Sequence, residues 1–332
     1  GSKIQNPKSK IEGLVALAFN LGMAIFALVA LFGYLAPAYG RPPSFAADAP
    51  IPHLTDAQFD FFATLRGHQV NTTSLRPGEP IDIDLYWEVT GQPPGDYLLF
   101  VHLVDEAGTL VAQRDTHPGL GNFPSSQWRP GDRFLDSIRL YVPETAYTPA
   151  VAALRMGLYA PGGYRVGITG ADGQSLGDAL TLAEIRLEPM PGPYPNTQRQ
   201  NFSNEILLVG YEYSHRVARP GDALVVTLYW ESLQRVAADY LVEVRLVDEA
   251  GRVWATADSR PQVGQSPTDS WLAGQLVTDR HTLTIGDETP AGSYQVEIAL
   301  RDAASQTRQN IVGDDGHWID DQLWLARVMV RR

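Results

Sequence analysis

The chain has 332 residues, no cysteine, and 26 basic against 38 acidic side chains, a formal charge of −12. That length suggests about two domains of ordinary size. The lack of cysteine excludes disulfide scaffolds, thiolate zinc sites, iron–sulfur clusters and cysteine nucleophiles, and the acidic balance argues against a nucleic-acid partner, whose phosphates need a basic face.

The charge is segregated along the chain. All three lysines, Lys3, Lys8 and Lys10, lie in the first ten residues, and residues 1–12 read as a short basic tail. Beyond residue 11, 23 arginines face 38 acids, which leaves −15. Residues 13–36, GLVALAFNLGMAIFALVALFGYLA, carry no charge. A helix of that length spans about 36 Å, enough for the hydrocarbon core of a bilayer with some tilt. Tyr34 and Tyr39 sit where an interfacial aromatic belt belongs, and Pro37 ends the segment. The apolar run is longer than the core of a cleaved signal peptide. The positive-inside rule keeps the lysines in the cytoplasm. It places residues 40–332 outside the cell (inner) membrane. Inside the helix, Ala16, Asn20 and Ala24 share one face and form a small, polar stripe that suits a neighbouring helix; the other reading is an Asn bonded to its own backbone.

Residues 37–56 contain five prolines and read as a semi-rigid stalk. Beyond them the chain repeats itself. LYWE at 85–88 returns at 228–231, DYL at 96–98 at 239–241, and LVDEAG at 103–108 at 246–251, each at an offset of 143. Trp128 returns as Trp271 and Asp136 as Asp279. Such agreement at one offset defines two homologous domains, 57–189 and 200–332, joined by a proline-rich linker at 190–199.

Each copy reads as a β-sandwich. In 81–88, Ile81, Ile83, Leu85 and Trp87 alternate with Asp82, Asp84, Tyr86 and Glu88. LVDEAG supplies hairpin chemistry, and late Asp-Gly turns recur at 172–173 and 315–316. Turns at short intervals and the lack of a helical period predict an all-β tandem pair of seven- to nine-stranded sandwiches, Ig-like or jelly-roll in type, after one transmembrane helix.

The duplication also sorts residues. Types kept in both copies serve the fold: Trp87/Trp230 and Trp128/Trp271 as core groups, Asp105/Asp248 and Asp136/Asp279 as turn or strand-end hydrogen bonders. Trp254, Trp318 and Trp324 occur in the second copy alone. They suit either a platform that stacks on sugar rings or ordinary packing. The acidic cluster Asp314, Asp315, Asp320 and Asp321 offers oxygens for calcium but lacks EF-hand spacing, and a solvated turn is the simpler reading. The seven histidines show no metal-ligand spacing, and no hydrolase, phosphate-loop or dinucleotide motif occurs. No catalytic residue and no cofactor is expected.

The apolar helix ending in APAYGRPP, then RPG at 76–78, LYWE, DYL, LVDEAG, the Pro-Ser/Thr-x-x-Trp motif and the late Asp-Gly turn resemble the C-terminal region of bacterial polytopic dolichyl-phosphate-mannose-mannosyltransferase-like glycosyltransferases, of the kind found in Chloroflexota. The resemblance runs from about residue 13 to 332. It implies a last membrane helix followed by extracytoplasmic sandwich modules. That family's catalytic acids lie in an early loop among many membrane helices, so none carries over to this chain. The sequence thus leads to a non-catalytic, membrane-anchored binding or scaffolding protein, a subunit of a larger membrane complex with other membrane proteins as partners. The alternative is the accessory, glycan- or acceptor-contacting region of a membrane glycosyltransferase.

Overall fold

A computed structural model describes residues 7–35 and 39–332, with side chains from Val15 onward. The basic tail's lysine side chains and Pro37 lie outside the described residues. Helix α1 covers Pro7–Ala30 and continues as a π-helical turn, Leu31–Leu35. Its Val15–Leu35 portion is long and apolar enough to cross a membrane, and none of it is buried against the rest of the chain.

The first copy holds β1 (His53–Phe59), β2 (Ala63–Val70), β3 (Ser74–Leu75), β4 (Pro80–Val89), β5 (Leu98–Asp105) and β6 (Leu110–Thr116). It continues with β7 (Arg133–Tyr141), β8 (Ala150–Tyr159), β9 (Ile168–Thr169), β10 (Ser175–Gly177) and β11 (Leu180–Leu187). The second copy holds β12 (Gln200–Phe202), β13 (Ile206–Tyr213), β14 (Val217–Ala218), β15 (Ala223–Ser232), β16 (Tyr240–Val247) and β17 (Val253–Thr256). Then follow β18 (Leu276–Thr284), β19 (Gly292–Asp302), β20 (Ile311–Val312), β21 (Trp318–Asp320) and β22 (Leu323–Val330). Each copy therefore has eleven strands rather than seven to nine, because strands of two or three residues such as β3, β9 and β10 extend the sheets.

The topology is the same twice. In the first copy a six-stranded sheet, β10-β9-β1-β2-β4-β7, faces a five-stranded one, β3-β11-β8-β5-β6. In the second, β21-β20-β12-β13-β15-β18 faces β14-β22-β19-β16-β17. The alternating faces read from the sequence become the cores. Ile81, Ile83, Leu85 and Trp87 are buried in one, and Leu224, Val226, Leu228 and Trp230 in the other. Trp128 and Trp271 are fully buried, and their indole N–H groups donate to the Phe123 and Ser266 carbonyls. Asp82 and Asp84 stay on the wet face, where Asp82 takes both arms of Arg139 and Asp84 accepts from Ser137. Gly67 and Gly210 occupy matching bulges, and a Cβ there would lie 2.3 Å from the His53 carbonyl oxygen and 2.6 Å from that of Pro195. Glycine lets the incoming chain cross the sheet at both places.

The two proline-rich segments are not free spacers. Strand β1 starts at His53, inside the expected stalk. Further back, Leu135 N–H donates to Pro43 O at 2.8 Å, and Phe45 packs edge-on against Tyr86 at 5.5 Å. Prolines suit this edge position because one side of the strap needs no ladder donors. In the linker, Tyr211 N–H donates to Pro195 O, and Gln198 N–H to Val209 O.

Candidate functional site

A cluster of polar and aromatic side chains lies on the seam between the two sandwiches. It begins with the LVDEAG turn after β5. Asp105 Oδ1 accepts the backbone N–H groups of Ala107 (3.0 Å) and Thr109 (2.8 Å), which closes the turn. Its other oxygen accepts from Arg216 Nη1 of the second copy at 2.7 Å, and both side chains are only 3% exposed. Arg216 Nε donates to the Arg327 carbonyl at 2.9 Å, so the guanidinium bridges the copies with its polar arms satisfied on both sides. Glycine is required at 108, where φ is +76° and a Cβ would lie 2.9 Å from Met329 Cε.

A second contact comes from the β7–β8 loop. Tyr147 leaves its own sandwich and packs in the core of the other. Its ring stacks on Tyr213 at 5.4 Å and lies under the Arg216 guanidinium at 4.6 Å. Its hydroxyl accepts the Tyr213 N–H at 3.0 Å. Burial pushes the Tyr147 hydroxyl up to about 12, against the opposing pull of that N–H and of Arg216. Asn196 of the linker completes the seam, accepting from Thr148 N–H at 2.7 Å and donating to the carbonyls of Thr148 and Tyr211. Clefts of about 590 and 330 Å³ flank this joint and share Thr145, Ala146, Gln198 and Tyr211 in their walls.

The three unpaired tryptophans do not form a platform. Trp254 lies on β17, the outer strand of the second copy's five-stranded sheet, and Trp324 on β22, on the far side of β16 and β19. Trp318 lies on β21, at the edge of the opposite sheet. The indoles differ in setting as well. Trp254 is half-buried, donates to Asp248 Oδ2 at 2.8 Å and sits under Arg252. Trp324 is 39% exposed in the wall of the smaller seam cleft. Trp318 is 65% exposed, and its N–H donates to Asp320 O.

Asn20 follows the second reading of the helix stripe: its amide donates to Ala16 O at 2.9 Å, one turn back. Among the described residues no three His, Asp or Glu side chains gather for a metal ion. In the candidate calcium cluster, Asp315 accepts the His317 N–H, Asp320 accepts that of Asp321, and Asp321 lies 3.8 Å from Arg308. These bonds organise the turn rather than converge with Asp314 on one point.

Asp136 and Asp279 are more than strand-end hydrogen bonders. Both are fully buried. Asp279 Oδ1 accepts Gln262 N–H at 2.7 Å, and Oδ2 lies 2.6 Å from His281 Nε2. Asp136 has Ile138 where the second copy has His281, and its polar neighbour, the Gly119 backbone N–H, falls short of hydrogen-bond geometry. Burial raises the Asp136 carboxyl to about 6, with the Gly119 backbone N–H pulling the other way.

The fold and seam define a tandem β-sandwich protein with an N-terminal helix able to cross a membrane. No protein-family model and no curated protein matches the chain. Sequence reasoning passed over Arg216 and Tyr147. The signal was present, since Arg216 stands opposite Thr73 in the repeat and Tyr147 opposite Pro290, positions where the copies differ.

Proposed function

We propose that this chain is a non-catalytic, membrane-anchored binding or scaffolding protein of the extracytoplasmic face, and a subunit of a larger membrane complex. The observation that supports this most is the seam. A buried charge pair under an aromatic wedge holds two sandwiches as one arm, and a rigid arm can present partner surfaces at a fixed separation. The charge segregation supports the orientation, with basic residues inside and an acidic arm outside.

Lack of native cysteine makes the test clean. A single cysteine at Trp318, in the full chain in whole cells, should react with a membrane-impermeant maleimide before lysis. Labelling that appears only after lysis overturns the orientation. In mild detergent the chain should migrate in a complex larger than its own monomer, and a lone monomer would sink the subunit reading.

A second reading follows from the resemblance to membrane glycosyltransferase C-terminal regions and from Trp324 in the cleft wall. Here the seam contacts glycan or acceptor. Binding of the full chain in nanodiscs to a glycan array, lost in Trp324→Ala, separates this reading from the first.

A further inference from the structure

We infer that the helix-proximal end of the first sandwich rests on the lipid surface, with Phe61 and Leu120 entering the interfacial layer. The inference rests on the membrane-anchored reading and starts from the length of the tether. The apolar helix ends at Leu35, and by Arg41 the chain is already docked. The Arg41 guanidinium lies 4.8 Å from the centre of the Phe123 ring, and a Cβ on Gly119 would lie 3.1 Å from Pro42. Six Cα-to-Cα steps separate Leu35 from Arg41. At about 3.6 Å each, they reach at most about 22 Å. The loop at 117–123 touches Arg41 and Pro42, so it is held to the end of the membrane segment by that reach plus the length of one side-chain contact.

Leu120 lies at the tip of this loop, exposed, with φ at +53°. Phe61 belongs to the same end. Its carbonyl accepts from Thr90, and the adjoining Val89 exchanges backbone hydrogen bonds with Gly131 and Asp132, next to the strap. Phe61 is 55% exposed. The repeat supplies the comparison. Position 61 corresponds to Asn204 in the second copy, where the turn is an ordinary solvated one closed by Asn201. Leu120 corresponds to Val263, which is also exposed, so an apolar tip alone belongs to the loop. Phe61 is the change that turns this end apolar, and it occurs only in the copy that the helix tethers.

Charge at this end is balanced. This end holds four arginines, Arg41, Arg66, Arg129 and Arg133, against four acids, Asp56, Asp60, Glu88 and Asp132; Glu88 pairs with Arg133 and Arg66, and Asp56 with Arg66. Insertion therefore depends on apolar area rather than on anionic headgroups, and buried depth should be the few ångströms of an interfacial contact.

The test uses the full chain in phosphatidylcholine vesicles, with an environment-sensitive fluorophore on Phe61→Cys, Leu120→Cys or Val263→Cys. Emission at 61 and 120 should be blue-shifted relative to 263 and quenched by lipid-borne quenchers. Phe61→Asn, the residue the sister turn already carries, should reduce the shift at 120 while the core tryptophan emission stays native. Equal emission at all three sites, in protein that resists alkaline carbonate extraction, overturns this inference and leaves the anchor standing. Release by carbonate removes the anchor and the inference together. A shift that requires anionic lipid overturns the apolar mode of insertion.

Discussion

The turn after β5 and the turn after β16 have the same sequence, LVDEAG, and different neighbours. In both, one carboxylate oxygen accepts the N–H groups two and four residues on: Ala107 and Thr109 for Asp105, Ala250 and Arg252 for Asp248. The turn's own backbone dictates that half of the geometry. The remaining oxygen differs. Asp105 gives it to Arg216 of the neighbouring sandwich, whereas Asp248 gives it to Trp254 of its own. The Trp254 N–H, and then the Arg252 backbone N–H, hold the Asp248 carboxyl below its usual range. Val111 occupies the Trp254 position in the first copy and leaves the socket open to the second. A repeated turn thus keeps its local chemistry, and its spare lone pairs set how one module meets the next.

The largest effect should come from breaking the joint. Arg216→Ala leaves Asp105 buried and unpaired, and such a loss costs about 3–5 kcal/mol. Denaturant unfolding should shift by that amount and separate into two transitions as the sandwiches uncouple. A single unshifted transition would show that the pair contributes little. Arg216→Lys should fall between, because a lysine cannot reach Asp105 and the Arg327 carbonyl with one planar fork.

The buried carboxylates sharpen the same contrast. His281 Nδ1 lies 3.1 Å from the Ala257 carbonyl oxygen. Its Nε2 lies 2.6 Å from Asp279 Oδ2, which gives that buried carboxyl an imidazole partner. Asp136 has no such partner. Its carboxyl ionises near 3.8 in the unfolded chain and near about 6 when folded. The folded form therefore holds the proton longer. Its stabilising contribution is complete below about pH 4 and is lost as pH rises to about 6, by about 3 kcal/mol at 1.36 kcal/mol per unit. Asp136→Asn should remove that slope from stability measured between pH 4 and 7. Ile138→His, which installs the second copy's partner, should reduce it. An unchanged slope in both variants would place the titration elsewhere.

Much of this architecture can be read from the repeat. An offset of 143 carries β2, β4, β7 and β11 onto β13, β15, β18 and β22, residue for residue at their starts. Burial of Trp87 with Trp230, and of Trp128 with Trp271, follows from the same pairing. The joint is not legible that way, because it depends on residues the copies do not share. Tyr147 sits in a loop and gains its role only when a second core accepts it. The tryptophans fail as a platform for a related reason. Trp318 and Trp324 are six residues apart in sequence, but β21 and β22 belong to opposite sheets. Strand order comes from long-range pairing, which a hydrophobic period does not encode.

Smaller effects test the closed socket and the open surface. Trp254→Val copies the first module's residue into the second. It exposes Asp248 and removes the edge-on contact with Tyr294, 6.5 Å between ring centres. Its cost should be less than that of Arg216→Ala, since Asp248 is solvated and its released oxygen turns to water. A loss as large as that of Arg216→Ala would mean that the socket is closed as tightly by Trp254 as by a whole domain.

Trp318→Ala should change least. The indole is largely in solvent, and its one hydrogen bond goes to Asp320 two residues on. Surface substitutions of this kind stay within about 0.5 kcal/mol. That small cost makes the variant useful, because any change in binding would then report contact rather than folding. If Trp318→Ala leaves both stability and complex size unchanged, while Trp324→Ala alters complex size alone, partner contact lies on the seam side of the second copy. The reverse pattern would move it to the β21 edge.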